Sequence, residues 1–362
     1  MSVAPIDAEV WVLLGSRHGD NQQLLALARA LGRPFRSVAL QFNAAAGLPP
    51  LILGASGLSW KVRDPDALAP PWPRLVLAAG RKSVPAARWI ARRSGGRTRL
   101  VHLNRPWAPL AWFDLVVTTP QYALPARGNV LINRMPFLPP ETPLDAALPA
   151  IWQERVGDMP RPWTLVMVGG SSRPYVLDDA SALRLAGMVG EQVRRHGGSA
   201  WVLGSPRTPA SVMDAIESSL DVAATVVRWQ RGANNPYPAL RHTADRLIVT
   251  MDSASMVTEA LLSGRPVLPF TLPTRPDWRW KLVAAWRAAA LRRPGSWRAR
   301  LFEKLQDLGW LSSTRDVGLL IERLQADGLF DAEGRAPVMA RKERQETVAR
   351  IEALLLDSSA RR

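Results

Sequence analysis

The chain has 362 residues, 47% of them hydrophobic, which is enough for a large core and more than one domain usually holds. It contains no cysteine, which excludes disulfide and thiolate chemistry. Its four histidines have no metal-ligand spacing, so we expect neither a metal site nor a cofactor. The N-terminus lacks a basic signal region, and no apolar run reaches the roughly 18 residues of a membrane span. These features predict a cytoplasmic protein.

The formal net charge of +16 comes almost entirely from arginine. Residues 81–99 carry seven basic residues and no acidic one. Within them, a short helix is predicted over 84–93, with Trp89 and Ile90 among arginines. That composition is typical of a helix lying on an anionic membrane surface, here the inner face of the membrane. A solvated basic face is the alternative; nucleic acid is not expected, because no nucleic-acid-binding motif is present.

Strands and helices alternate in two blocks. Strands are predicted at 10–14, 35–40, 75–79, 99–103, 115–118 and 130–132, then at 163–168, 200–203, 225–228 and 245–250. Helices are predicted at 24–31, 84–93, 180–196, 210–219, 255–264 and 341–356. Apolar strands separated by helices are typical of parallel sheets covered on both faces. We therefore predict an α/β fold with two doubly wound domains, 1–145 and 146–335, followed by a C-terminal helix in 336–362. The boundary between the domains falls in the proline-rich stretch 137–143.

Ligands of open parallel sheets bind at the carboxyl ends of the strands. In the second block, the strand at 163–168 is followed by small residues that let a phosphate approach the backbone: Gly169, Gly170, Ser171 and Ser172. Arg207 follows the next strand and can pair with a diphosphate. Asn235 and Tyr237 precede the last predicted strand of the block, where they could hold a base or simply cap a turn.

The segment 250–270 is the most informative part of the sequence. A helix is predicted to begin near Ser255, with Ser253 and Ser255 as candidate N-caps and Met256 in the first turn. A helix start just past a strand end offers free N–H groups and a positive dipole end to a phosphate. Glu259 lies one turn further along the same face, where it suits the hydroxyls of a ribose or sugar. The segment thus indicates a nucleotide-sugar site, and an ordinary capped helix start is the alternative.

These residues carry a family resemblance. RGANNPYPALRHTADRLIVTMDSASMVTEALLSGRPVLPF, residues 231–270, resembles the signature of the family named for a plant mitochondrial-fission factor, which has bacterial members. GSRHGDNQQ, VMVGGSS and GSPRTP resemble further motifs of that family, in the family's order, over about residues 10–310. The second block also resembles the UDP-N-acetylglucosamine transferase of peptidoglycan synthesis. The resemblance implies a GT-B fold, in which two Rossmann-like domains face a cleft and the C-terminal one binds the donor.

The resemblance also implies a role for the segment after the first strand. Asp20 and His18 are the candidate general bases for an acceptor hydroxyl; for Asp20 a helix cap is the alternative. Their neighbours on the acceptor side are Gly15, Gly19, Asn21 and Gln22. Three functions stay open: a metal-independent glycosyltransferase that uses a nucleotide-diphosphate sugar and a membrane-associated acceptor, a non-catalytic adaptor that recruits a protein partner, and a nucleotide-sugar epimerase.

Overall fold

The computed structural model describes residues 8–139, 152, 158–230, 235–293, 295–311, 315–330 and 334–359. The chain forms two compact units that interleave along the sequence. The first unit comprises Met1–Pro139, Lys281–Thr314 and Lys342–Arg362, and the second comprises Pro140–Trp280 and Arg315–Arg341. The predicted boundaries at 145 and 335, drawn for continuous domains, stay a prediction. Residues 140–143 of the proline-rich boundary and residues 231–234 of the signature lie outside the described residues.

The first unit contains a seven-stranded sheet in the order β3-β2-β1-β4-β5-β6-β7. Its strands are β1 Val10–Leu14, β2 Phe35–Phe42, β3 Trp60–Val62, β4 Leu75–Ala79, β5 Arg99–Leu103, β6 Leu115–Thr118 and β7 Val130–Ile132. All neighbours pair in parallel except β2 and β3. The sequence predicts every strand but β3, which is three residues long and carries little pattern of its own.

The second unit contains a five-stranded, all-parallel sheet in the order β10-β9-β8-β11-β12. Its strands are β8 Trp163–Val168, β9 Ser199–Gly204, β10 Ala224–Val227, β11 Arg246–Thr250 and β12 Val267–Phe270. All six residues of β8 are buried, as the central strand of a sheet covered on both faces requires. The predicted α/β class with parallel sheets is therefore confirmed in both units.

Bounds were predicted for six of the described α-helices, and four of these six begin and end close to the predicted positions. In chain order the described α-helices are α1 His18–Ala30, α2 Pro50–Leu53, α3 Val84–Arg93, α4 Asp179–His196, α5 Ala210–Ser219, α6 Tyr237–Thr243, α7 Ala254–Leu262, α8 Trp278–Arg292, α9 Trp297–Asp307, α10 Val317–Ala326 and α11 Arg335–Ser359. Helices α2, α8, α9 and α10 were not predicted, and α11 begins at Arg335 rather than Arg341. Helix α1 begins at His18 rather than Leu24. The segment predicted as a loop is thus the first turn of a helix, where Asp20 complements the positive helix end.

Residues of β1 alternate between the two faces of the first sheet. Trp11 and Leu13 pack into the core on one face, which α3 covers. Val10 and Val12 pack into the core on the other face, beneath α1 and the end of α11. Period-two alternation with apolar residues on both sides produces this arrangement. The predicted C-terminal helix thus contributes to the core of the first unit.

Helix α3 corrects one expectation from the sequence. It forms where predicted, but Ile90 is fully buried in the sheet core, and the ring of Trp89 lies 5.5 Å from that of Trp60. The guanidinium of Arg88 stacks 3.5 Å over the ring of Trp112, and burial lowers its pKa. The apolar side of α3 therefore faces the protein interior and is not available to a membrane.

Candidate functional site

Both sheets reverse their strand order at one point, and the loops singled out from the sequence follow the strands at those points. In the second unit, β8 lies between β9 and β11, and the chain turns from one side of β8 to the other. In the first unit, β1 and β4 occupy the equivalent places. A crevice forms outside the carboxyl ends of strands at such a switch point, which is where doubly wound sheets bind ligands.

A buried carboxylate ties together three strand ends of the second unit. The side chain of Asp252 has no exposed surface. Its Oδ2 accepts hydrogen bonds from the backbone N–H of Gly170 at 3.0 Å and from Nη2 of Arg207 at 2.8 Å. Its Oδ1 accepts one from the hydroxyl of Thr250 at 2.7 Å. The loops after β8, β9 and β11 therefore converge, as expected from the sequence, but on a residue that the sequence did not single out.

The glycine pair after β8 is required by this convergence. A Cβ on Gly169 would lie 2.1 Å from Oδ1 of Asp252, and one on Gly170 would lie 2.4 Å from the carbonyl oxygen of Arg207. The N–H of Gly169 donates to Thr250 Oγ1 at 2.8 Å, and the N–H of Gly170 donates to Asp252. The two glycines therefore let the protein's own loops pack closely, and both amides already have protein acceptors.

The two serines that follow form a tight turn. The Oγ of Ser171 accepts a hydrogen bond from the backbone N–H of Leu177 at 3.1 Å. Ser172 and Tyr175 exchange backbone hydrogen bonds of 3.0 and 2.8 Å. These hydrogen bonds fix the shape of the loop, so the loop is not an open run of free amides.

The start of α7 lies directly after Asp252. Ser253 occupies the N-cap position, but its side chain makes no cap hydrogen bond, so the predicted serine cap is not formed. The first turn, which contains Ser255 and Met256, carries no acidic residue. The N-cap side chain therefore does not satisfy the first N–H groups of α7, which lie at the positive dipole end. Arg207, with 45% of its side chain exposed, supplies a cation from the neighbouring loop.

Glu259 sits one turn further along α7 and is held by two groups. The hydroxyl of Tyr237 donates to its Oε2, and Nη1 of Arg241 lies 3.1 Å from the same oxygen. Burial, followed by the nearby charge of Glu259, raises the pKa of Tyr237 well above its ordinary value. Asn235 caps the preceding turn, because its Oδ1 accepts from the N–H of Tyr237 at 3.0 Å. Of the two roles open for Asn235, the structure shows the turn cap.

The predicted acceptor-side residues lie at the start of α1 in the first unit. Asn21 folds back onto Gly15, where its amide oxygen accepts from the backbone N–H and its amide nitrogen donates to the carbonyl oxygen, both at 2.9 Å. His18 and Gln22 are neighbours on the helix surface, with 3.4 Å between their Nε2 atoms. A Cβ on Gly19 would meet no atom within 4 Å, so this position faces open space.

Asp20 is oriented by residues that follow β4 and β5. Nδ2 of Asn104 lies 3.3 Å from Oδ1 of Asp20 and 3.4 Å from Oε1 of Gln23. The ring nitrogens of His102 each lie 3.4 Å from a backbone oxygen, one of Asn104 and one of Gly80. Complete burial lowers the pKa of His102 to about 4, so the ring is neutral. Asn104 was missed, although asparagine tolerates the left-handed backbone that this position adopts, with φ +66°.

A small cavity lined by both polar and apolar side chains adjoins this cluster. It has a volume of about 10 Å³, which is room for one water molecule. Its lining includes Gln23, Asn104, Thr118, Thr119 and Asn133. All five are neutral, so the strand ends of the first unit form a site of hydroxyls and amides, whereas those of the second unit are built around a charged pair.

The two sheets define a doubly wound α/β protein. The model of the family described as "Mitochondrial fission ELM1" matches residues 18–307, and the chain belongs to that family. This confirms the resemblance seen in the signature segment.

Two curated relatives share this similarity. The uncharacterized protein RP120 of Rickettsia prowazekii is 23% identical over 298 residues, covering 73% of this chain and 83% of its own. The mitochondrial fission protein ELM1 of Arabidopsis thaliana is 28% identical over 219 residues, covering 54% of this chain. The matched stretch spans 51% of the Arabidopsis protein, about half of its length.

Similar solved structures include UDP-N-acetylglucosamine 2-epimerases and a glycosyltransferase. A UDP-N-acetylglucosamine 2-epimerase from Listeria monocytogenes has 12% identity and a TM-score of 0.49, with 95% of both chains covered. MurG of Acinetobacter baumannii has 14% identity and a TM-score of 0.42, with 95% of this chain and 99% of its own covered. The fold of the present chain is defined by the strand order of its own two sheets.

Two properties follow from the described part of the chain as a whole. No helix there is both long enough and apolar enough to cross a bilayer. In the same residues, no three His, Cys, Asp or Glu side chains lie close enough together to hold a metal ion.

Proposed function

We propose that the second unit binds a nucleotide-diphosphate sugar at the carboxyl ends of β8 and β11, and that the protein transfers the sugar without a metal. The observation that carries the proposal is the start of α7, which has neither a side-chain cap nor an acidic first turn and lies at the switch point beside Arg207. Such a helix start attracts a phosphate through its N–H groups and its dipole.

Arg207 and Glu259 have complementary roles in this proposal. Arg207 has five N–H donors, so it can keep its bond to Asp252 and still bind a diphosphate. Its charge and the start of α7 would stabilise the departing nucleoside diphosphate. Both contacts of Glu259 described above fall on Oε2, and we assign Oε1 to the hydroxyls of a ribose or sugar. The hydrogen bond from the hydroxyl of Tyr237 holds that carboxylate in place before a ligand binds.

The transfer reaction also needs a base for the acceptor hydroxyl. Asp20 remains the first candidate and His18 the second. Asn104 would orient the Asp20 carboxylate, with His102 supporting the loop as a neutral ring. The acceptor is proposed to be membrane-associated.

Donor binding is tested by the melting temperature of the protein with UDP-, GDP-, ADP- and CMP-linked sugars. At least one donor should raise the melting temperature. Glu259→Gln should weaken its binding by about tenfold or more, since a bond to a charged group contributes about 1.5–3 kcal/mol. Glu191→Gln is the matched control, because this exposed glutamate pairs only with Arg195 one turn away. If no donor raises the melting temperature of the wild type, the proposal is wrong.

Product analysis separates the remaining functions. A transferase releases free nucleoside diphosphate when an acceptor is present, whereas an epimerase returns the sugar with one inverted centre. A protein that binds a donor and turns over neither way fits the adaptor. The described contacts favour neither the epimerase nor the adaptor specifically, so the transferase is the function that we propose.

A further inference from the structure

The chain between β2 and β3 leaves the edge of the first sheet and returns to it, forming what we call the tip loop, residues 43–59. Phe42 and Trp60 pair across its base in antiparallel register. The backbone N–H of Asn43 donates to the carbonyl oxygen of Ser59 at 3.3 Å, and its side-chain amide donates to that of Leu58 at 2.8 Å. These bonds close the neck of the loop, as in a compact Ω-loop.

The tip loop is anchored by some of its apolar residues and exposes others. Ala46 and Leu53 are buried, and the indole of Trp60 donates to the carbonyl oxygen of Ser56 at 2.9 Å. Four large aliphatic side chains point outward instead: Leu48, Leu51, Ile52 and Leu58, with 46%, 39%, 70% and 72% of their surface exposed. A fixed loop that presents apolar side chains to water marks an interaction site.

Basic residues predominate around the tip loop. Residues 41–66 contain two basic residues and two acidic ones, Asp64 and Asp66, whereas residues 80–99 contain seven basic residues and no acidic one. Arg81 joins the two stretches, because its guanidinium donates to the carbonyl oxygens of Gly47 at 3.1 Å and Ala46 at 3.2 Å. The exposed side chains of Lys61 and Lys82 flank the loop.

We infer that the tip loop docks the first unit on an anionic lipid bilayer, with Leu48, Ile52 and Leu58 entering the boundary between headgroups and acyl chains. Apolar side chains that project from a closed loop can enter this boundary while neighbouring lysines and arginines bind anionic headgroups. The excess of basic over acidic residues in the two stretches together favours such a surface over a neutral one. The docking itself does not depend on the proposed function. Only its purpose, which is to reach a membrane-associated acceptor, rests on that function.

The first experiment measures co-sedimentation of the full chain with vesicles of phosphatidylcholine and phosphatidylglycerol. The wild type should bind these vesicles and bind pure phosphatidylcholine at least tenfold more weakly. The double variant Ile52→Ser/Leu58→Ser should lose at least tenfold in binding with an unchanged melting temperature, because both side chains are exposed. Trp297→Ser/Trp310→Ser, which removes two side chains that are 65% and 67% exposed elsewhere in the first unit, is the matched control and should bind like the wild type.

A second experiment reports insertion directly. Because the chain has no cysteine, Ile52→Cys can carry a single polarity-sensitive fluorophore, and Ser219→Cys on the exposed face of α5 serves as its control. Emission from position 52 should shift to the blue on vesicle addition, whereas emission from position 219 should not. Equal vesicle binding by the two double variants would overturn the inference. A tip-loop variant that abolishes a dimer but keeps lipid binding would also overturn it.

These tests are independent of donor binding. The tip-loop double variant should keep the donor-induced rise in melting temperature, and Glu259→Gln should keep vesicle binding. Loss of one property without the other therefore shows whether the docking surface or the nucleotide site is wrong.

Discussion

The helices that follow the two switch points begin differently. Neither α1 nor α7 has a side-chain cap hydrogen bond. Helix α1 carries Asp20 in its first turn, so its positive end is met by the protein's own carboxylate. Helix α7 has no acidic residue there and lies beside the half-exposed Arg207. Two sheets of the same kind thus present one helix start that is already neutralised and one that is suited to an external anion.

The supports behind the two helix starts differ in the same sense. The second unit is tied by Asp252, a buried carboxylate whose charge Arg207 balances at 2.8 Å. The first unit is tied by neutral groups, the amide of Asn104 and the ring of His102. A charged support tolerates little change in geometry or charge, whereas neutral supports are sensitive mainly to protonation. This difference predicts how each unit fails.

The largest effect is expected from Gly169→Ala. The new Cβ would lie 2.1 Å from Oδ1 of Asp252, so the buried carboxylate or the β8 loop must move. Overpacking of this kind costs about 1–3 kcal/mol, and the displaced charge adds to it, so we expect a loss of about 3 kcal/mol or more in the free energy of unfolding. Urea unfolding measures it, and donor binding should be lost with it.

Gly19→Ala is the matched change in the first unit. A Cβ at this position meets no atom within 4 Å, and alanine is the better helix former by about 0.5–1 kcal/mol. The variant should therefore unfold at the same or a slightly higher urea concentration. If Gly169→Ala were as stable as Gly19→Ala, the close convergence on Asp252 would be wrong.

The next effect is an acid-sensitive step in the first unit. Burial lowers the pKa of His102 to about 4, whereas the unfolded side chain titrates near 6.5. The unfolded state therefore takes up a proton first as the pH falls, and the stability that the neutral ring supports is lost between pH 6.5 and pH 4. At 1.36 kcal/mol for each pKa unit, the loss by pH 4.5 is about 2–3 kcal/mol.

His102→Gln tests the origin of that step. The variant keeps a polar side chain but cannot titrate, so its unfolding free energy should fall less between pH 7 and pH 4.5 than that of the wild type. The second unit provides the opposite case, since burial raises the pKa of Tyr175 to about 12 and makes its stability fall as the pH rises above 10. Hydrogen exchange of β5 and β8 reports the two units separately; an unchanged acid step in His102→Gln contradicts the assignment.

The strand pattern could be predicted from sequence because it depends on local runs of apolar residues. Strands such as Trp163–Val168 are buried on both faces and stand out in any window. The start of α1 could not be placed in this way, because the residues of His18–Gln22 are polar and their helix formation depends on packing further along the chain. Likewise, the direction in which α3 turns Trp89 and Ile90 is set by the sheet beneath it rather than by its own composition.

The site was predicted less completely, for a related reason. Loop positions could be assigned because parallel strands all end at one edge of the sheet. The partners of Asp252 and Asn104 could not, since each contact joins loops that are distant in the sequence. The sequence did contain a signal for Asp252, which follows a buried strand directly at an edge that also carries a glycine pair. An acidic residue in such a place needs a cation and backbone donors.

The smallest of the predicted effects comes from removing each carboxylate's charge. Asp252→Asn loses a charge-assisted bond to Arg207 and places amide hydrogens against existing donors. Such a change costs about 1–3 kcal/mol. We expect the lower half of this range, because Arg207 is 45% exposed and can be hydrated. Asp20→Asn keeps an amide oxygen that can accept from Nδ2 of Asn104 but loses a first-turn charge worth about 0.3–1 kcal/mol. Urea unfolding of both variants should rank Asp252 first, and only Asp252→Asn should weaken donor binding. If Asp20→Asn were the less stable variant and the one that weakens donor binding, the anion site would lie at α1 and not at α7.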